Sequence, residues 1–280
     1  MADSGSPDVV RGNMDRLIAK ISETRGIDLS LYRRAYVERR VAARLRTLGI
    51  HSYRQYMDLL DREPGEFDLL MNTLTINVTD FFRDRVVWDA LRRNVLPEMV
   101  RQKQGRNRTI RVWSAGCATG EEPYSIAMAL RDALGDDASR FLVSVIATDL
   151  DPQALATAER GVYDAAKRKR IPSSYQVRFT KSMSASQFEI APEVRRMVRF
   201  QQRSLFDDTP LRVIDLIMCR NVFIYFDRDQ QAVALERFWG SLARGGHLVL
   251  GRSEKLSMDM ARRLEPVDGK ERIYRKPARP

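Results

Sequence analysis

The chain has 280 residues, 44% of them hydrophobic and 30% charged, a balance that fits a globular protein of one medium and one small domain and excludes a disordered one. It carries no run of about 18 apolar residues and no apolar stretch after Met1 that reads as a signal peptide. With two cysteines and two histidines, neither a disulfide scaffold nor a metal site is expected, and a cytoplasmic location is. The formal charge of +11 points to an acidic partner such as nucleic acid, anionic lipid or an acidic protein surface. The alternative is an arginine-rich, merely solvated surface.

The first 80 or so residues read as short helices. Ser6-Pro7 opens one with Val10, Met14, Leu17, Ile18 and Ile21 on one face and Gly26 beyond its end. Ser30 is a candidate cap for a second, in which Val37, Val41, Leu45 and Leu48 form the apolar stripe. Ser52 and Gln55 make a capping-box pattern for a third, which Pro64-Gly65 stops. "EFDLLMNTL" then leads into "TINVTDFFRD", and a further helix runs from Val86 to about Gln104 with a bend expected at Pro97. The polar stretch from Gly105 reads as a linker.

Strands alternate with helices from there on. "TIRVWS" (109–114), "FLVSVIAT" (141–148), "MVRFQQRS" (197–204), "VIDLIMC" (213–219) and "GHLVLGRS" (246–253) are strand candidates, separated by helical patterns at 122–134, 152–161 and about 228–243. This alternation predicts a parallel, doubly wound sheet. Residues 161–196 break it with β-prone stretches such as "VRFTKS" and "SQFEIA", read as a small antiparallel insertion. The domain boundaries expected are 1–84 for a helical domain, 85–104 for a linking helix and 105–280 for the α/β domain.

Ligands of such sheets bind beyond the carboxyl ends of the strands, which is where "SAGCATGEEPYS" lies. A phosphate loop requires Gly-Lys-Ser/Thr, and a dinucleotide loop G-x-G-x-x-G. Here the spacing is G-x-x-x-G, followed by Glu121-Glu122. Two carboxylates repel a pyrophosphate and suit a cationic ligand. "IATDLD" places Asp149 at the end of the second strand, where a carboxylate accepts from ribose hydroxyls. Ribose plus a positive centre without phosphate points to S-adenosylmethionine. The alternatives at these positions are a helix-dipole interaction for Glu121 and Glu122, and helix capping for Asp149 and Asp151 before Pro152.

Taken in order, "LTINVTDFFRD", "GCATGEEPYSIAMAL", "IATDLD", "CRNVFIYFD" and "LARGGHLVLGRSEKL" resemble the CheR-type chemotaxis receptor methyltransferases, which esterify glutamates on bacterial chemoreceptors. The resemblance runs from about residue 26 to residue 275. It implies an N-terminal all-helical domain followed by a Rossmann-like class I methyltransferase domain with a small antiparallel β-subdomain inserted. It also implies S-adenosylmethionine as cofactor, S-adenosylhomocysteine as product, and the cytoplasmic helical domain of methyl-accepting receptors as partner. A monomer is expected, without membrane insertion, nucleic acid or metal. The cofactor contacts it implies are Asn77, Thr79, Arg83, Glu121, Asp149, Ser204, Leu205, Arg220 and Asn221. Ser204 departs from the family's usual asparagine.

Arg83 and Tyr225 are the candidates for the reacting centre, Arg83 positioning the incoming carboxylate and Tyr225 offering its hydroxyl near the transferring methyl. A core aromatic beside Phe223 and Phe226 is the alternative for Tyr225. Arg33, Arg40 and Arg44 fall on one face of the second helix and form a candidate docking surface for receptor glutamates. Cys117 and Cys219 are expected at the carboxyl edge of neighbouring strands, as reduced thiols beside the cofactor or as apolar fillers. Two other functions compete: a class I methyltransferase for another substrate such as nucleic acid, and a non-catalytic cofactor-binding regulator.

Overall fold

The computed structural model describes residues 7–25, 28–75, 77–105, 108–207 and 209–278. Ser6, Gly26 and the centre of the 105–108 linker lie outside them. By contact the chain groups into two compact units. One holds the chain up to Asn77 together with Tyr225–Gln230; the other holds Val78–Ile224 and Gln231 onward.

The first unit is helical. α1 (Pro7–Arg25), α2 (Arg34–Leu48), α3 (Tyr53–Arg62) and α4 (Pro64–Leu74) bury the faces the periodicity selects. Met14, Leu17 and Ile21 of α1 and Val37, Val41 and Leu45 of α2 are buried, α1 packing on α3 and α2 on α4, whereas Leu48 is exposed at 36%. Ser30 does not cap α2. It sits in a short 3-10 turn, Leu29–Leu31, whose cap is Asp28, and α2 starts at Arg34. Pro64 both ends the run of α3 and opens α4 as its first residue, where its missing N–H costs nothing. At the centre of the unit Arg44 donates to both oxygens of Glu66 at 2.8 and 2.6 Å, and the Tyr56 hydroxyl donates to the same carboxylate at 2.7 Å. The returning segment joins here through Arg33, whose N–H donates to the Tyr225 carbonyl at 2.9 Å and whose Nε donates to that of Phe226 at 2.9 Å.

The second unit begins with α5 (Arg85–Ala90), which continues through a π-helical turn at Leu91–Val95 into α6 (Leu96–Gln102). The wide turn is the local answer to Pro97. A proline ring collides with the carbonyl four residues back and lacks the N–H for that bond, and a π-turn lets the ladder skip a position. Next come β1 (Thr109–Ala115), α7 (Glu121–Leu134), β2 (Leu142–Asp149) and α8 (Pro152–Arg160). The insertion follows as β3 (Val162–Asp164), α9 (Ala165–Arg168), α10 (Ser173–Phe179), β4 (Thr180–Ser182), β5 (Gln187–Ile190) and α11 (Pro192–Arg195). The chain finishes with β6 (Val198–Gln202), β7 (Ile214–Cys219), α12 (Arg228–Ser241), β8 (Leu242–Leu250), α13 (Met258–Arg263), β9 (Glu265–Asp268) and β10 (Ile273–Arg275).

The large sheet has seven strands in the order β6-β2-β1-β7-β8-β10-β9. Its first five are parallel, so the core strands in chain order read 3-2-1-4-5. β10 and β9 add an antiparallel hairpin at the far edge. Every residue of β7 is buried, as a central strand covered on both faces requires.

The insertion is a three-stranded antiparallel sheet of order β3-β5-β4. "SQFEIA" supplies β5 as expected, but the "VRF" of "VRFTKS" is helical, in α10. Tyr175 and Phe179, four residues apart, are both buried and stack edge-to-face at 5.5 Å, so helical spacing overrides β propensity there. No described helix is long and apolar enough to cross a membrane.

Candidate functional site

The carboxyl ends of β1, β2, β6 and β7 converge on loops whose geometry explains their sequence. After β1 the N–H groups of Gly116 and Cys117 donate to the Thr148 carbonyl at 2.8 and 3.0 Å, fastening the loop to β2. Gly116 has φ +77°, and a Cβ there would lie 2.4 Å from Val222 Cγ2. Gly120 has φ +94°, and a Cβ there would lie 2.7 Å from the Ala158 Cβ. The G-x-x-x-G spacing is thus needed at both ends, for backbone conformation and for close approach. Phe82, Asp84, Ala118 and Asn221 have positive φ without being glycine. Such residues are held in place by their surroundings and gather at functional sites.

Asp149 ends β2. Its Oδ2 accepts the Ala118 N–H at 2.7 Å and its Oδ1 the Asp151 N–H at 3.0 Å. Burial pushes this carboxyl above its ordinary range. Each oxygen retains a second lone pair for a further donor. Asp151, read as a cap, does cap α8, accepting from the N–H groups of Gln153 and Ala154.

The two glutamates after the loop differ. Glu121 is fully buried, accepts the Thr119 hydroxyl at 2.7 Å and forms an ion pair with Lys167 of α9. Glu122 accepts the Ser114 hydroxyl at 2.7 Å and faces Arg220 at 4.0 Å, and burial raises its pKa.

Arg83 donates to the Val78 carbonyl at 2.7 Å, closing the "VTDFFR" loop on itself. Thr79 lies half-buried in that loop. Arg220 is buried, pairs with Asp84 and donates to the Arg83 carbonyl at 3.1 Å. Its terminal nitrogens thus brace the "DFFRD" loop against the end of β7, while its buried Nε has no hydrogen-bond partner among the described residues. Asn221, next in sequence, has a buried Oδ1 with no partner among the described residues. The Ser204 hydroxyl accepts the Phe206 N–H at 3.1 Å, and Leu205 is buried beside it. The Arg203 N–H donates to the Asp149 carbonyl at 2.9 Å, which ties this loop to β2.

Cys117 follows β1 and Cys219 closes the neighbouring β7. Both are free, buried thiols, and burial pushes both well above the ordinary thiol range. Unreactive thiols at neutral pH follow.

Asn77 and Tyr225 group with the helical unit. The Asn77 amide donates to the Thr75 hydroxyl at 3.5 Å. Tyr225 lies in a 3-10 turn, Phe223–Tyr225. Phe223 is core, while Tyr225 is half-buried with its ring 4.8 Å from that of Tyr36.

The docking trio also divides. Arg44 is only 15% exposed and committed to Glu66, which withdraws it from the surface; the helical spacing hid this because Glu66 arrives from α4. Arg33 stays exposed, and Arg40 is half-buried with its Nε unpartnered among the described residues.

Two residues with no assigned role in the sequence reading prove structural to the site. Ser125 accepts the Phe82 N–H at 3.0 Å and donates to the Glu121 carbonyl at 2.7 Å, joining "DFF" to α7. Glu254 is buried and accepts the N–H groups of Phe223 at 2.8 Å and Gly251 at 2.6 Å, which binds the loop after β7 to that after β8. Their presence inside "GEEPYS" and "GRSEKL" was the available signal. Among the described residues no cluster of three or more His, Cys, Asp or Glu is placed to hold a metal ion.

A parallel sheet of order 3-2-1-4-5 with an antiparallel far edge, a glycine loop after its first strand and an acidic residue after its second defines a class I methyltransferase fold. Residues 77–273 match the family model described as CheR methyltransferase, SAM binding domain, and residues 13–75 that described as CheR methyltransferase, all-alpha domain. The chain belongs to the CheR methyltransferase family and is an S-adenosylmethionine-dependent methyltransferase. It is 35% identical to a chemotaxis protein methyltransferase of Listeria monocytogenes over 82% of this chain and 85% of that one. It is 36% identical to chemotaxis protein methyltransferase 2 of Pseudomonas aeruginosa over 87% and 86%. With the chemotaxis protein methyltransferase of Klebsiella aerogenes the identity is 37% over 86% and 82%.

Proposed function

We propose that this protein acts in bacterial chemotaxis, in the cytoplasm, esterifying glutamate side chains on the helical cytoplasmic domains of chemoreceptors. The observation that carries this reading is the joint match of both family models over a loop built for a cationic ribose ligand. The chemotaxis names of the relatives support the substrate assignment. Residues 1–84 are taken as the helical domain, 85–104 as the linking helix and 105–280 as the catalytic domain, acting as a monomer.

The donor set fits the cofactor. Asp149 has acceptor capacity for ribose hydroxyls, Asn221 has a buried oxygen without a partner, and Glu121 is a carboxylate suited to a cationic group. In this reading Thr79, Ser204 and Leu205 line the remainder, Asn77 and Arg83 contribute from the "TINVTDFFRD" segment, and Arg220 acts through the Asp84 brace. S-adenosylmethionine supplies a methyl group on a positively charged sulfur.

The substrate glutamate, with a reference pKa near 4.3, is already ionised at neutral pH, so no side chain has to take a proton from it. What the chain's residues do is orient and desolvate. Arg83 positions the incoming carboxylate, because a tight bidentate grip on it would blunt the nucleophile. Tyr225 offers a hydroxyl at the reacting centre, and the buried loops exclude water, which favours a reaction that annihilates charge. Arg33 and Arg40 attract the acidic receptor face. Incubation with methyl-labelled cofactor and a receptor cytoplasmic fragment should label the fragment, and replacing its surface glutamates by alanine should abolish labelling. Label that survives those replacements would contradict the reading.

A further inference from the structure

The large sheet is covered unequally on its two faces. On the face carrying α7 and α8, Ile110 and Val112 of β1, Val145 and Ala147 of β2, and Val198 of β6 are buried in one core. Strand register fixes the opposite face of the same three strands. There Thr109 lies beside Leu142, Arg111 beside Ser144, and Ile146 between Trp113 and Arg199. Only the corner under α12 is closed. Trp113 packs edge-to-face on Phe238 of α12 at 5.1 Å and donates to the Thr148 hydroxyl at 2.9 Å. Beyond it Leu142 is 67% exposed, Arg111 and Arg199 are exposed, and Thr109, Ser144 and Ile146 are half-buried.

The cause is the connection that follows β6. β1 reaches β2 through α7, and β7 reaches β8 through α12. Residues 203–213 cross from β6 to β7 with no helix among those described. Strands of a parallel sheet are ordinarily covered by helices on both faces. One helix of that layer is missing.

Leu142 and Ile146, four residues apart on β2, are separated by about 13 Å, and β1 and β6 stand about 10 Å apart across them. Those dimensions match the width of one α-helix and about nine residues of its length. Arg111 flanks the strip from β1 and Arg199 from β6, and neither guanidinium has an ion pair or hydrogen bond among the described residues. A second copy of this chain does not match the strip. Stable dimers bury about 800 Å² per partner, several times what is open here, and self-pairing sets arginine against arginine. We propose that the strip binds one amphipathic helix of a partner protein, its apolar residues seated on Leu142 and Ile146 and its carboxylates facing Arg111 and Arg199. The partner helix completes the layer that the helix-free crossover leaves open.

The test is fluorescence anisotropy of a labelled, stapled helix of about 15 residues, with leucine along one face and glutamate on either side, titrated with the full chain. Leu142→Glu, at an exposed position, should weaken binding at least about tenfold. Arg111→Glu combined with Arg199→Glu should weaken it by about the same factor. The same helix carrying lysine in place of glutamate should be rejected by the wild type and bound by that double variant, a reversal that an unfolded variant cannot give. Arg54→Glu combined with Arg93→Glu, exposed arginines of α3 and the π-turn, should change binding less than about twofold at physiological salt. Equal loss in this control pair would reduce the effect to overall charge and overturn the proposal, as would binding indifferent to Leu142→Glu. A dimer in sedimentation that Leu142→Glu dissociates would assign the strip to a second copy. Duplex DNA bound more tightly than the helix, and released by Arg111→Glu, would assign it to nucleic acid. Either result overturns the proposal.

Discussion

Replacing Asp149 by asparagine preserves shape while removing charge and one acceptor. In either amide orientation the NH2 group faces a backbone donor, Ala118 N–H at the position of Oδ2 or Asp151 N–H at that of Oδ1. One ribose hydroxyl then loses its acceptor and the other keeps only a neutral one. Hydrogen bonds to charged groups contribute about 1.5–3 kcal/mol each, so losing one and weakening the other costs about 2–4 kcal/mol. That corresponds to a roughly 30- to 700-fold weaker Kd. Titration of S-adenosylhomocysteine into Asp149→Asn measures it directly. A 2′-deoxy analogue should bind the wild type poorly but lose little further in the variant, because the contact it lacks is the one removed. Because burial raises the Asp149 pKa, affinity for the natural ligand should also fall on acidification earlier than an ordinary carboxylate would dictate. A change below threefold in Asp149→Asn, or an equal deoxy penalty in both proteins, would refute the ribose assignment.

Tyr225→Phe should leave S-adenosylhomocysteine affinity unchanged and lower turnover at least about tenfold, within the range for a positioned hydroxyl; full turnover would leave only its packing on Tyr36. Arg33→Glu and Arg40→Glu should raise the KM for receptor in a salt-sensitive manner, since exposed charges are screened beyond about 8 Å at physiological ionic strength. An equal loss of cofactor affinity would count against docking. His247 is buried, with neither ring nitrogen hydrogen-bonded among the described residues, and burial lowers its pKa to about 4. Between the unfolded value near 6.5 and about 4 the unfolded chain takes the proton first, so stability falls with pH across that window by up to about 3 kcal/mol. His247→Leu should flatten that slope in urea unfolding at pH 7 and 5, and an unchanged slope would show that the imidazole is not responsible.

Much of this architecture is legible in the sequence because burial on both faces writes itself as uninterrupted apolar runs. "VIDLIMC" has no alternative to a central strand once its flanks are polar. The glycine loop is legible for the same kind of reason: G-x-x-x-G is a backbone requirement, and the residues after it exclude phosphate. Short, half-exposed pieces carry no such mark. β9 is "EPVD" and β10 is "IYR", so the far-edge hairpin is set by pairing with β8 and not by local pattern. The π-turn before Pro97 is a compensation visible only in the helix ladder.

Side-chain partners distant in sequence were the least accessible. Arg44 looks like its neighbours on the α2 wheel until Glu66 is placed beneath it, and Glu121 meets a lysine 46 residues later. Tyr225 sits in a 3-10 turn, and aromatic spacing alone does not separate such a turn from an extended segment.

The chemistry of the bond formed tests the central claim most directly. After reaction with methyl-labelled S-adenosylmethionine, receptor fragments should be exposed to mild alkali and the volatile label collected. Glutamyl methyl esters hydrolyse under those conditions, so the label should leave the protein as methanol. Label that stays on the protein through alkali, or that appears on nucleic acid, would contradict carboxyl methylation.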